Sequence, residues 1–218
     1  MRKKTIYATI DTETVGGATT PTGAYNYGLT IHDREGTIYA SQNFLVAEHY
    51  DEIKNDDYAK KNFHLYEQYI REGKISVVST ENEAISLMRN LCRFYNVKYI
   101  MAFNSGFDMT KTKCRELLDE FEFIDIWLMA LQTLTHYKKF SKFCNEFELK
   151  NAKGNCLTNA QTMYAYITNN PHYIEEHTAL ADSLIEMEIF VSCLKTHKKF
   201  SKNVHCWDCK EKNKKFPK

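Results

Sequence analysis

The sequence predicts an α/β fold, a mixed central sheet of about five strands flanked by helices. Three observations point there. Thr5 to Ile10 alternates so that Ile6, Ala8 and Ile10 share one side of an extended segment, with Asp11 at its tip. Tyr25, Tyr27, Leu29 and Ile31 form a second alternating run, and the polar turn Asp33-Arg34-Glu35-Gly36 separates it from a third, Thr37 to Phe44, which predicts an antiparallel hairpin. Val97 to Phe103 reads as a short buried strand after a helix, and a strand, helix, strand order implies a parallel pair.

The helices follow from local signals. Residues 47 to 75 have helical character, with Tyr58, Phe63, Tyr66 and Tyr69 set among charges; the rings either pack inward or form a flap that stacks on bases. Thr80 and Glu83 make a capping box before Ala84, Leu87, Met88, Leu91 and Tyr95, so an amphipathic helix runs to about Asn96. Asn104 to Asp108 opens another helical stretch. Residues 123 to 168 read as mostly helical, broken around Gly154, with Thr158 and Gln161 as a second capping box and Asn169-Asn170-Pro171 as a stop. A last helix starts near Thr178, where Leu180, Leu184, Met187, Val191 and Leu194 recur at helical spacing.

Composition narrows the class. The balance of 43% hydrophobic and 26% charged residues is that of a globular protein and excludes a disordered one. No apolar run reaches the length of a membrane span, and the apolar stretch before Asp11 is too short for a signal-peptide core. Seven scattered cysteines, an odd number, do not form a secreted disulfide framework, so a reducing cytosol is the expected compartment. Residues 1–196 read as one domain and 197–218 as a lysine-rich tail. From Lys195 onward nine lysines face only Asp208 and Glu211, so the body is mildly acidic although the net charge is +1. An acidic body suits divalent cations; a basic tail suits a polyanion, or is simply solvated.

Asp11 and Glu13 stand two apart on a strand, so their carboxylates project to one side of the sheet, where a shared divalent cation would relieve their repulsion. Asp108 follows the strand 97–103, where open α/β sheets place their ligand crevice. His177 and Asp182 lie five apart around the start of the last helix, with Thr178 as a possible cap; a histidine on a mobile loop beside a helix carboxylate suits proton transfer next to a metal. Each pair alone has an ordinary reading as surface acids, a helix-start aspartate or an unremarkable histidine. Their order along the chain is what joins them.

That order resembles the DEDDh 3′-to-5′ exonucleases of the ribonuclease H-like superfamily. The likeness is carried by Ile10-Asp11-Thr12-Glu13-Thr14, by Asn104 to Asp108, and by Glu176-His177-Thr178-Ala179-Leu180-Ala181-Asp182, which is similar to the family's His-x-Ala-x-x-Asp pattern. Phe123-Ile124-Asp125-Ile126-Trp127 is similar to phage-encoded members, whose setting would be the bacterial cytosol. The resemblance implies a ribonuclease H-like fold and a two-metal hydrolysis of phosphodiester bonds at the 3′ ends of single-stranded DNA or RNA, with metals about 3.5 to 4 Å apart. It implies Asp11, Glu13, Asp108 and Asp182 as ligands of two Mg²⁺ or Mn²⁺ ions, and His177 as general base. It also implies Thr12, Asn104 and Phe107 as substrate contacts.

Three features stand beside that reading. Asp125 is expected as a helix-start or structural acid, and Glu186 either supports Asp182 one turn away or is an exposed helix acid. His205, Cys206 and Cys209 offer part of a zinc set, which Cys144 or Cys156 would have to complete. The alternatives for function are a phosphodiesterase for short oligonucleotides or signalling nucleotides, and a non-catalytic nucleic-acid-binding module.

Overall fold

A computed structural model describes residues 4–16, 23–57, 59–196 and 199–205. Tyr58, Cys206, Cys209 and most of the lysine-rich tail lie outside these. The elements are β1 (Ile6–Val15), β2 (Gly23–Asp33), β3 (Ile38–Val46), α1 (Tyr50–Asn55), α2 (Phe63–Arg71), β4 (Ser76–Val78), α3 (Glu81–Phe94), β5 (Val97–Ala102), α4 (Gly106–Lys111), β6 (Glu122–Asp125), α5 (Ile126–Gln132), α6 (Lys138–Glu146), α7 (Ala160–Thr168) and α8 (Ala179–Thr196).

The strands form one mixed sheet in the order β4-β3-β2-β1-β5-β6. β1, β2 and β3 run antiparallel in turn, while β5 lies parallel to β1, β6 to β5 and β4 to β3. This is the α/β class expected from the sequence, and its arrangement is consistent with a ribonuclease H-like sheet. Helices cover both faces, so the central strands carry apolar residues on both sides. Ala8, Ile10, Leu29, Ile31 and Ile100 pack towards α3, and Met101 and Ile124 pack with residues of α5 to α8. A third cluster, Val15, Tyr25, Leu45, Ile53 and Tyr66, seats the 47–75 excursion on the sheet.

Four expectations are corrected. The sheet has six strands, because Ser76–Val78 adds a parallel edge to β3 as the chain leaves the excursion. Residues 123 to 125, read as the start of a helical stretch, belong to β6, since a short apolar run reads as strand or helix until a neighbour pairs with it. The cap of α7 is Asn159, which accepts from the Thr162 amide, one residue beyond the Thr158 of the expected capping box. β1 also continues past Asp11 to Val15, held there by β2. In the excursion the inward-packing reading holds for Tyr66, which is fully buried against Tyr25. Among the described residues no helix is long and apolar enough to cross a membrane.

Candidate active site

The site begins where one strand outruns its neighbour. β1 pairs with β5 only as far as Thr9 and Met101, but with β2 as far as Val15. Beyond Thr9 a crevice opens at the carboxyl end of the parallel strands, where such sheets bind ligands. Asp11 and Glu13 lie on the same face of β1 as Tyr7, whose ring meets Phe190 of α8 at 4.9 Å. β5 then leads through Asn104, at φ 54°, into α4 and Asp108.

Gly28 brings the third segment in. It sits opposite Asp11 on β2, and a Cβ there would strike the Ala179 carbonyl and the Leu180 nitrogen. Without a side chain at that position the first turn of α8 lies directly on the sheet. Asn26 fastens it, accepting from the Ala179 amide at 2.9 Å while its own amide donates to Asn43 and Phe44. Thr178, the expected cap, instead donates its hydroxyl to Glu176 at 2.9 Å. Ser183, one turn on, bonds Thr30 of β2 at 2.8 Å.

Five carboxylates converge as a result. One ligand atom from each of Glu13, His177 and Asp182 lies within 4.8 Å of the other two. Asp108 is buried and accepts from the Thr12 hydroxyl at 2.6 Å, which ties the second motif to the first. Glu186 is 4% exposed, and its carboxylate accepts from the Phe103 amide at 3.2 Å. The exposed helix acid expected there is therefore corrected: Glu186 faces the crevice one turn beyond Asp182.

Electrostatics shows how far these charges are from satisfied. Burial pushes the Asp11 carboxyl well above the usual range, and Glu186, Asp182, Asp108 and Glu13 push it further. Glu13 rises through burial, then Asp182, Asp108 and Glu175. Burial lifts Asp108 to about 6 against the opposing Thr12 hydrogen bond. It lifts Asp182 to about 8, with Glu175 and Glu176 adding to the effect. Glu186 rises through burial, Asp108 and Asp182. The buried Asp182 Oδ1 has no hydrogen-bond partner among the described residues. A low-dielectric pocket of mutually repelling carboxylates with an unsatisfied oxygen has the chemistry to hold a cation.

His177 stands at the rim with φ 57°, a left-handed backbone that a non-glycine residue rarely adopts. Its Nδ1 is 3.9 Å from Glu175 Oε2. Glu175 is held by α7, its amide donating to Gln161 at 3.3 Å. Of the expected substrate contacts, Thr12 is buried under its bond to Asp108, Asn104 is exposed in the turn before α4, and Phe107 is half-buried in its first turn. Asp125 is the structural acid expected, accepting from the Leu128 amide at the start of α5 and from the Ser105 hydroxyl.

A second group, Glu48, His49 and Glu81, also has the geometry to bind a metal ion. Its members hold one another and the backbone: His49 lies 3.3 Å from Glu52 and 3.4 Å from Glu81, and Glu48 accepts from the Glu81 amide. The Cys206 and Cys209 reading falls outside the described residues, and the ring of His205 is bonded to the Phe123 carbonyl. Sequence reasoning missed Glu175 and undervalued Glu186. The i, i+4 spacing from Asp182 is the signal for Glu186; Glu175 has none beyond its nearness to His177. No protein-family model matches the chain, and a search of curated proteins finds no match.

Proposed function

We propose that this chain is a divalent-cation-dependent 3′-to-5′ exonuclease that releases nucleoside monophosphates from single-stranded DNA or RNA in a reducing cytosol. The observation that carries the reading is the convergence of Asp11, Glu13, Asp108 and Asp182, with His177 beside them, around an unsatisfied carboxylate oxygen. The donor set fits hard ions: it is all carboxylate, and burial leaves it without a compensating charge. Asp11, Glu13, Asp108 and Asp182 would hold two Mg²⁺ or Mn²⁺ ions. Such ions supply Lewis acidity that favours ionisation of an attacking water and steadies the leaving 3′ oxygen.

The chain's own groups do the rest. His177 takes the proton of the attacking water, with the Glu175 carboxyl 3.9 Å from its Nδ1. Thr12 fixes the Asp108 carboxylate so that it meets its ion in one orientation. Glu186 bonds the backbone at the end of β5 and holds the segment before α4 against α8. Asn104 and Phe107, at the mouth of the crevice, meet the terminal nucleotide.

The test is release of nucleotides from single-stranded DNA and RNA labelled at either end, with Mg²⁺, Mn²⁺ or EDTA, by the wild type and Asp11→Ala. Stepwise shortening from the 3′ end that needs the cation and vanishes in the variant supports the reading and names the preferred sugar. Cleavage confined to two-nucleotide substrates replaces it with a small-nucleotide phosphodiesterase. Binding without cleavage replaces it with a nucleic-acid-binding module.

A further inference from the structure

We propose that the helical excursion of residues 47–75 is a brace for the loop that carries His177, with Asn62 and Tyr69 as its positioning residues. The inference rests on the exonuclease reading for the role of His177, but its geometry stands apart from it. Asn62 occupies the N-cap position of α2, where an asparagine side chain ordinarily accepts from an amide of its own helix. It makes no such bond. Its amide instead donates to the His177 carbonyl at 2.9 Å and to the Glu176 carbonyl at 3.3 Å. About two turns further along α2, Tyr69 donates its hydroxyl to Glu176 at 2.7 Å, on the same carboxylate oxygen that accepts from Thr178.

These bonds bracket His177 on both sides along the chain. The residue they bracket has a left-handed backbone, which costs an ordinary side chain about 1 kcal/mol or more and persists only where the surroundings hold it. The brace is itself anchored. Tyr66 and Ile53 are buried with Tyr25, Leu45 and Val15, so the excursion is seated against the end of the strand that bears Asp11 and Glu13. A groove of about 430 Å³, lined among others by Gln42, Asn43, Tyr69, Lys74, Glu176 and Leu184, opens between β3, α2 and α8. Tyr69 and Glu176 meet on the lining of that groove, so the excursion holds the loop there through a polar side-chain contact, and Asn62 adds its two bonds to the loop backbone.

Asn62→Asp is the sharpest probe. An aspartate is isosteric and is accepted at a helix N-terminus as readily as asparagine, yet it cannot donate to either carbonyl. We expect kcat on a single-stranded oligonucleotide to fall about tenfold, as for a small misplacement of a catalytic group, with KM and cation affinity unchanged; Tyr69→Phe should show the same pattern more weakly. In a His177→Ala background Asn62→Asp should have no further effect, because the group it positions is gone. The ¹H–¹³C resonance of the His177 ring provides a reading without turnover: one sharp signal in the wild type, broadened or doubled in Asn62→Asp. Wild-type kcat with an unaltered ring signal overturns the proposal, as does a raised KM at unchanged kcat, which would make the excursion a substrate flap, or an additive loss in the double variant. If the wild type cleaves nothing, the exonuclease reading fails, and the ring signal alone decides the brace.

Discussion

Replacing Gly28 with alanine puts a methyl group where α8 meets the sheet. The added carbon would lie 2.5 Å from the Leu180 nitrogen and closer still to the Ala179 carbonyl, and both are backbone atoms of the first turn. An ordinary contact is at least 3.4 Å and the Ala179 oxygen would lie at 2.0 Å, so the turn must retreat by about 1.4 Å to clear it. The retreat stretches the 2.9 Å bond from Ala179 to Asn26 and draws Asp182 away from Asp11 and Glu13. Overpacking of this kind costs about 1–3 kcal/mol, and a clash with backbone belongs at the upper end. In a chain of this size each kcal/mol lowers Tm by about 2–4 °C, so a fall of about 4–12 °C is expected. A shift near 1 Å in a ligand or catalytic group also removes about a hundredfold in rate. Thermal unfolding and the rate of nucleotide release would measure these two consequences, and a calorimetric Mn²⁺ titration would show whether the ligands have moved apart. An alanine variant that melts with the wild type and binds Mn²⁺ equally well would refute the argument that Gly28 admits α8 to the site.

Glu186→Gln keeps an acceptor for Phe103 and removes a charge that repels Asp11, so in EDTA at pH 8 its Tm should exceed the wild type's, while cation affinity falls about tenfold; a lower Tm in EDTA would contradict it. Asp182 titrates at about 8 in the folded chain against an ordinary 3.8, so folding favours its protonated form: this contribution is complete below 3.8 and is lost as pH rises through about 8. The protein in EDTA should therefore lose stability across that window. At pH 7 a divalent cation should displace at least one proton, measurable by calorimetry in buffers of different ionisation enthalpy. Asp33, fully buried in the β2–β3 turn, has the opposite sign. Burial opposes its charge, but hydrogen bonds from Lys4, Thr37, Tyr39 and Glu35 hold it well below the usual range, so its stabilisation is present above 3.8 and is lost on acidification. Asp33→Ala should cost about 2 kcal/mol in urea unfolding at pH 7 and leave Mn²⁺ affinity unchanged.

What the sequence by itself determined is local. Alternation placed β1, β2 and β3, because successive side chains of a strand point to opposite faces, and a short buried apolar run placed β5. The acids at 11, 13 and 108 read as standing at or just past the ends of strands, and Asp182 lies in the first turn of the last helix; each alone is an ordinary acid, and their order along the chain is what singled them out. Other features depended on partners far along the chain. Phe123 to Asp125 is a strand because β5 lies beside it, and Ser76–Val78 is one because the excursion returns the chain to β3. The stripe Leu180, Leu184, Met187, Val191 and Leu194 misjudged how α8 sits: Leu180, Leu184 and Leu194 are half-buried, while Ser183, Glu186 and Phe190 are buried beside Met187 and Val191, since the helix is covered on most sides. Only the tertiary structure turned Glu186 into the crevice, gave Gly28 its reason and made Asn62 a partner of His177. Periodicity records which residues of one element share a side; which other element lies against that side, and how closely, is decided by packing between segments that sequence spacing does not relate.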